Sequence, residues 1–338
     1  MKKVLVVDLP GVGLRLTEER LVMASRGRRE EVPISDLEEV RISPRVSLSS
    51  DVLISLMEKG VLVTLVDEKG DPRGIVVVPT FGGTVRTRRE QLLSYYDKRG
   101  LKLAKSFVEA ATLFRTWVLR KLSISRPEKS EKLLSLKEDV ESVVPSIRAL
   151  DGSNVDEVRG ELMALEGTAS SKYFEALSLV ISGEFFSGTR TRRPPRDPLN
   201  AAISYGNSLI YTETLKCIIF SGLDPFAGFL HVDRPGRFSL ALDLAEEFIV
   251  YASHWPVITL FSKRMIGRED FRGSPETGVY LNYEGREKVF RAVSSTLTRH
   301  VSYRGKKWRL RDLMLLRARN VVTFVRGESD YEVLVPWE

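Results

Sequence analysis

The sequence predicts an α+β protein: a small N-terminal mainly-β domain over residues 1–80, a linker at 81–86, and a larger all-α domain over 87–338. Three observations carry this expectation. The 338 residues exceed what one core usually organises, since domains run to roughly 100–200 residues. Short runs rich in Val, Leu and Ile, separated by turn signals, fill the first part, and a helical period takes over from Gln91. Between the two, Pro79-Thr80-Phe81-Gly82-Gly83-Thr84 has the composition of a hinge.

The expected strands are Val4–Val7, Gly13–Leu16, Arg20–Ala24, Glu38–Ile42, Val61–Val66 and Gly74–Val78. Leu9-Pro10-Gly11, Arg26-Gly27 and Lys69-Gly70-Asp71-Pro72 supply the turns between them. One helix interrupts the pattern, with Ser50 as its expected cap, Val52, Leu53, Leu56 and Met57 at helical spacing, and Gly60 ending it. With no visible chemistry, this domain is expected to serve packing or dimerisation. Beyond the hinge, one long helix is expected from Gln91 to Leu122, with Leu92, Leu93, Tyr96, Leu103, Phe107, Ala111, Phe114 and Val118 facing a core. A charged helical stretch follows from Pro127 towards Leu150, broken or kinked near Pro145. Helices are also expected at Asp156–Ile181, from Asp197-Pro198 to Phe220, from Asp224-Pro225, at Ser239–Tyr251 and at Glu284–Thr298.

Composition removes several classes. At 43% apolar and 29% charged, the chain is not of a disordered type. No apolar run approaches the roughly 18 residues of a membrane span, and the start lacks a signal-peptide pattern, so a cytoplasmic protein with no membrane partner is expected. The single cysteine, Cys217, cannot form an internal disulfide and reads as a core residue. Gly11-Val12-Gly13 lacks the third glycine and following helix of a phosphate loop. One Gln and five Asn beside abundant Arg hint at a thermophilic source.

The net charge of +7 is unevenly spread. Residues 1–80 hold 12 basic and 13 acidic side chains, whereas 286–320 hold 11 against 2. Arg190, Arg192, Arg193 and Arg196 crowd one loop kept off-helix by Pro194 and Pro195, and their guanidinium forks suit phosphate oxygens. Lys306 and Arg309, with Tyr303 and Trp308 interleaved, offer a second surface for a polyanion. These six residues are the candidates for binding the phosphates of a polyanion. Either basic group could instead be a solvated face.

Imidazole chemistry has only His231, His254 and His300 to draw on. His231 is followed by Asp243 and Glu246, which share a helix face at i and i+3 among leucines. Carboxylates in so apolar a helix are costly unless paired or bound to a cation. Glu166 sits between Leu162-Met163 and Tyr173-Phe174. Carboxylates with one imidazole suit Mn²⁺ or Mg²⁺, leaving positions for water and phosphate. The alternative is that Glu166 pairs with an arginine and His231 satisfies a backbone carbonyl. His254 and His300 have no carboxylate at ligand spacing and read as core or surface residues. No serine sits in a nucleophile elbow, which disfavours a Ser-His-Asp triad.

At these residues, in this order, the chain resembles the CRISPR-associated integrases that insert new spacers. The likeness runs along nearly the whole chain. It covers Glu31–Leu37 and Val46–Ser50 in the first domain, then Glu166-Gly167 with Tyr173-Phe174. It continues from Arg192-Arg193-Pro194-Pro195 through Gly222-Leu223-Asp224-Pro225 to Gly228-Phe229-Leu230-His231, and ends in Ser239–Phe248. Ile249-Val250, Asn207 and Ser171 depart from the family pattern, at positions that are not metal ligands.

The resemblance implies Glu166, His231 and Glu246 as ligands of Mn²⁺ or Mg²⁺, with Asp243 as a fourth catalytic residue beside them. It implies a homodimer formed through the β-domains. It also implies a heterohexamer with a small dimeric CRISPR-associated partner that holds the spacer duplex. The expected reaction is transfer of a spacer 3′-OH to a repeat phosphodiester, in defence against invading DNA. A metal-dependent repair nuclease and a non-catalytic DNA-binding scaffold are the rival readings.

Overall fold

The computed structural model describes residues 3–25, 28–68, 70, 72–76 and 85–337. The chain divides into two compact units, Met1–Phe81 and Gly82–Glu338, strand-rich and mostly helical respectively. The first builds two four-stranded sheets. One has the order β1-β5-β7-β8, from β1 (Lys3–Val7), β5 (Leu37–Ile42), β7 (Leu62–Val66) and β8 (Pro72–Val76). The strands β1, β5 and β7 run parallel, and β8 returns antiparallel. The other has the order β4-β3-β2-β6, from β2 (Gly13–Thr17), β3 (Arg20–Ser25), β4 (Arg28–Pro33) and β6 (Ser47–Leu48). Helix α1 (Ser50–Glu58) is the crossover that a parallel β5–β7 pair requires. Leu14, Leu21, Ile34, Leu37, Val40, Val52, Leu56 and Val63 close the core.

Two details differ from expectation here. The cap position of α1 is Ser49, not Ser50, and it makes no side-chain cap bond. Strand β4 carries Arg-Arg-Glu-Glu on an exposed sheet edge, where charge guards the strand and hides its periodicity. The hinge at 79–84 and the strand residues Val77 and Val78 lie outside the described residues, and helix begins at Val85, inside the expected linker.

In the second unit, the long helix expected from Gln91 is two: α2 (Val85–Ser94) and α3 (Lys98–Ser125). Asp97 starts α3 afresh by accepting the N–H of Arg99 at 2.8 Å. A side chain at Gly100 would lie 2.5 Å from the Ser94 carbonyl, so glycine permits the tight junction. Leu92, Leu93 and Tyr96, expected in a core, are exposed. Helix α3 is buried on most sides, packed by α4 (Ser130–Glu141), α5 (Val143–Ala149), α6 (Val155–Val180) and α8 (Ser239–Ile249). The break between α4 and α5 falls at Ser142, leaving Pro145 in the first turn of α5, where proline is tolerated.

Helix α7 (Pro198–Phe220) starts as expected, with Asp197 accepting the N–H of Asn200 at 2.8 Å. Asp224-Pro225 opens no helix. Residues 221–238 form a loop, in which Asp224 accepts the N–H of Phe226 as an Asx turn. After α8 comes a π-helical turn, Val250–His254, then α9 (Trp255–Ser262). Hairpins β9–β10 (Phe271–Ser274, Gly278–Leu281) and β11–β12 (His300–Tyr303, Lys306–Arg309) flank α10 (Tyr283–Leu297). Helix α11 (Leu310–Val325), masked in sequence by its arginines, buries Leu313, Met314, Ala318 and Val321. Its Arg317 bonds Glu247 of α8 at 2.6 and 2.8 Å, both fully buried. Among the described residues, no helix is long and apolar enough to cross a membrane.

Candidate active site

Three elements of the helical unit bring Glu166 (α6), Glu246 (α8) and His231 (the 221–238 loop) to the wall of one cavity of about 60 Å³. Asp243, one turn before Glu246, does not line it. Fully buried, Asp243 accepts the backbone N–H groups of Phe229 at 2.6 Å, Leu230 at 2.9 Å and His231 at 3.0 Å. Its Oδ1 also lies 2.7 Å from His231 Nδ1. So many donors satisfy a buried carboxylate without water. With Nδ1 engaged, Nε2 is the imidazole nitrogen left for a ligand.

The loop carrying His231 is held from two further sides. Gln91 of α2 donates to the carbonyls of Asp224 and Ala227, at 2.9 and 2.8 Å, and accepts the N–H of Asp224. Arg159 of α6 donates to the carbonyls of Leu230 and Phe229. Gly228 lies against α8, where a Cβ would be 2.7 Å from that of Ser239 and 2.9 Å from Asp243 Oδ2. The only glutamine of the chain was thus the visible sign of a clamp, although composition alone gave it no role.

Electrostatically the cavity sets like charges together. Burial, then the charge of Glu166, raises the Glu246 pKa above the ordinary carboxylate range. For His231, burial opposes protonation, but the hydrogen bond and charge of Asp243 outweigh it and the pKa is raised. Glu166 accepts a hydrogen bond from Arg115 Nη2 of α3 at 2.5 Å. Among the described residues, no three His, Cys, Asp or Glu groups stand close enough to hold an ion as placed. The donor set nevertheless suits a hard divalent cation: two carboxylates, of which Glu246 is pushed towards its neutral form until a cation offsets its burial, and an imidazole with one nitrogen spare.

The arginine loop divides. Arg190 and Arg192 line the cavity. Arg190 is tied to α7 through Asn200 Oδ1 at 2.9 Å and Ser204 Oγ at 3.0 Å, and burial, with Arg192 beside it, pulls it down to about 10. Arg193 lies near Arg237, which burial and Arg234 depress. Arg196 reaches the Pro275 carbonyl. Lys306 and Arg309, on β12, are not part of the cavity wall, and Arg309 bonds Asp312. Sequence reasoning missed Arg115, whose signal was a lone charge in the apolar run Ala110–Val118. It read His254 as core or surface; the residue is buried, and it lines the cavity.

Residues 5–295 match the family model of CRISPR associated protein Cas1. The chain belongs to the Cas1 family. It is 36% identical to the CRISPR-associated endonuclease Cas1 1 of Archaeoglobus fulgidus, over 98% of this chain and 99% of that one. A second relative, CRISPR-associated endonuclease Cas1 1 of Thermus thermophilus, is 30% identical over 97% of each chain. Among solved structures, a Cas1 protein from Thermotoga maritima superposes with a TM-score of 0.78 at 24% identity, covering 98% of this chain and 99% of that one. A casposase bound to its integration product superposes with a TM-score of 0.81, also at 24% identity, over 98% and 92%. Both likenesses are of the fold along nearly the whole chain, strand-rich start and helical remainder together.

Proposed function

We propose that this chain is a divalent-metal-dependent DNA nuclease and integrase of CRISPR adaptation. It joins the 3′-OH ends of spacer DNA to the repeat array by phosphodiester transesterification. The observation that carries the reading is the shared cavity of Glu166, His231 and Glu246, with Asp243 fixing which imidazole nitrogen is free. The relatives' names, as endonucleases, and the casposase caught with an integration product support it.

Glu166, His231 and Glu246 would hold Mn²⁺ or Mg²⁺, with Arg115 giving up its bond to Glu166. When bound, such an ion supplies Lewis-acid polarisation of the scissile phosphate and of the attacking or leaving 3′-oxygen. The chain's own groups do the rest. Asp243 orients His231, the clamped loop holds it in place, and Arg190 and Arg192 place positive charge where a phosphate must sit.

Cas1–Cas2 complexes among the structures of like fold support a small Cas2-type partner. We place the homodimer contact in the strand-rich unit and the assembly at a heterohexamer, which light scattering of the chain alone and with that partner would size.

A strand-transfer assay tests the function. A labelled 3′-OH duplex and a repeat-bearing plasmid are combined with the protein, with and without the partner, in Mn²⁺, Mg²⁺ or EDTA. Joining that needs metal, and that disappears in Glu166→Ala and His231→Ala while DNA binding stays within about twofold, is the expected result. Joining by His231→Ala at the wild-type rate would overturn the assignment. Cleavage without joining, partner present, would leave a nuclease in its place.

A further inference from the structure

His254 lines the cavity, is buried, and has a hydrogen-bond partner at neither ring nitrogen among the described residues. Bare buried imidazole nitrogens are rare in native interiors, because an unmade hydrogen bond is a direct loss. The ring is not loose. It stacks on Tyr173 at 5.7 Å between centroids and 20° between planes, and Phe174 packs against it at 5.9 Å. The π-helical turn Val250–His254 sets it there, a distortion frequent at functional sites.

A second set of unused donors stands in the same wall. Arg115 is 4% exposed and spends Nη2 on Glu166, while its Nε and Nη1 have no partner among the described residues. Burial, then the charges of Arg190, Arg115 and Arg192, lower the His254 pKa well below the ordinary value and keep the ring neutral. A neutral imidazole keeps one N–H to donate. The three arginines favour an anion beside the ring, whereas the carboxylates Glu166 and Glu246 of the same wall are the groups that would hold a cation. The cavity's volume of about 60 Å³ admits a few water-sized groups, which fits phosphate oxygens.

Resting on the phosphodiester-transfer reading and deepening it, we propose that His254 and Arg115 form a phosphate-oxygen subsite. Their free N–H groups hold a non-bridging oxygen of the DNA phosphodiester undergoing transfer. Asn207, Ile249 and Val250 line the same cavity, and Asn207 accepts a hydrogen bond from Ser253, the neighbour of His254, at 2.7 Å.

With only three histidines, the imidazole ¹⁵N spectrum of the full chain can be assigned. His254→Phe, which keeps the ring stack, marks the His254 signals. Wild-type protein in EDTA is titrated with inorganic phosphate and, separately, with a repeat-sequence duplex. Both should move the His254 resonances, and Arg115→Gln should weaken the phosphate effect by about tenfold or more, the worth of one charge-assisted hydrogen bond. Unmoved His254 signals with either probe would overturn the subsite. Movement by phosphate with none by duplex would overturn its assignment to the DNA diester. Because no turnover is involved, a chain unable to transfer strands would still show or lack the subsite.

Discussion

Three backbone N–H groups of the 229–231 segment and Nδ1 of His231 all converge on Asp243. The His231 pKa is raised in the fold, so the protonated ring's bond to Asp243 stabilises the protein fully below the unfolded value. That contribution is lost as pH rises through the folded pKa. An NMR titration of His231 should therefore give a midpoint above the ordinary histidine value, and Asp243→Asn should move it down. An unchanged midpoint would show that Asp243 does not govern the ring. Elsewhere, Arg317 and Glu247 form a fully buried pair, with Tyr331 Oη 2.8 Å from Glu247 Oε1. Arg317→Met should cost about 3–5 kcal/mol in chemical denaturation, by stranding a buried carboxylate. Adding Glu247→Leu should restore much of that, since both charges are then gone.

At the scale of elements, the site depends on a loop that has no regular structure of its own. Gln91, Arg159 and Asp243 satisfy its backbone from α2, α6 and α8, and Gly228 lets it lie flat on α8. Gly228→Ala would force the loop and helix apart. It should cost about 1–3 kcal/mol in thermal or denaturant unfolding, the range for overpacking, and should reduce strand transfer more than DNA binding. Equal reductions in both would mean that the loop does not position the reacting groups. For the same reason Asp224-Pro225 opens no helix: its polar groups are taken by Gln91 and by an Asx turn.

Across the whole molecule, charge separates the two units. Residues 1–80 are nearly balanced, whereas the rest carries the basic excess. Binding by that excess releases counterions, so affinity for duplex DNA should fall steeply and linearly on a log–log plot against salt. Neutralising Arg192 and Arg193 together should reduce the slope by about 1–2, one unit for each DNA phosphate that then keeps its counterion. A slope untouched by these changes would remove the loop from the DNA path.

The strand-rich start and the helical remainder were legible in the chain itself, and so were Glu166, His231, Asp243 and Glu246 as polar groups in apolar surroundings, three of which the fold brings to one cavity wall. Apolar periodicity reports burial directly, and a carboxylate among leucines announces a compensating partner. Edge strand β4 and helix α11 were not legible, because their charges are satisfied by solvent or by distant partners and so break the pattern. The same holds at the site. Which carboxylate orients His231 and which faces the cavity is a matter of angles between α8 and a loop. That Arg115 holds Glu166, or that His254 reaches the cavity, follows from helices 51 and more residues apart packing side by side. Local sequence sets which groups are costly to bury; only the packed chain decides which of them meet, because the meeting is made by non-local contacts that no local pattern encodes.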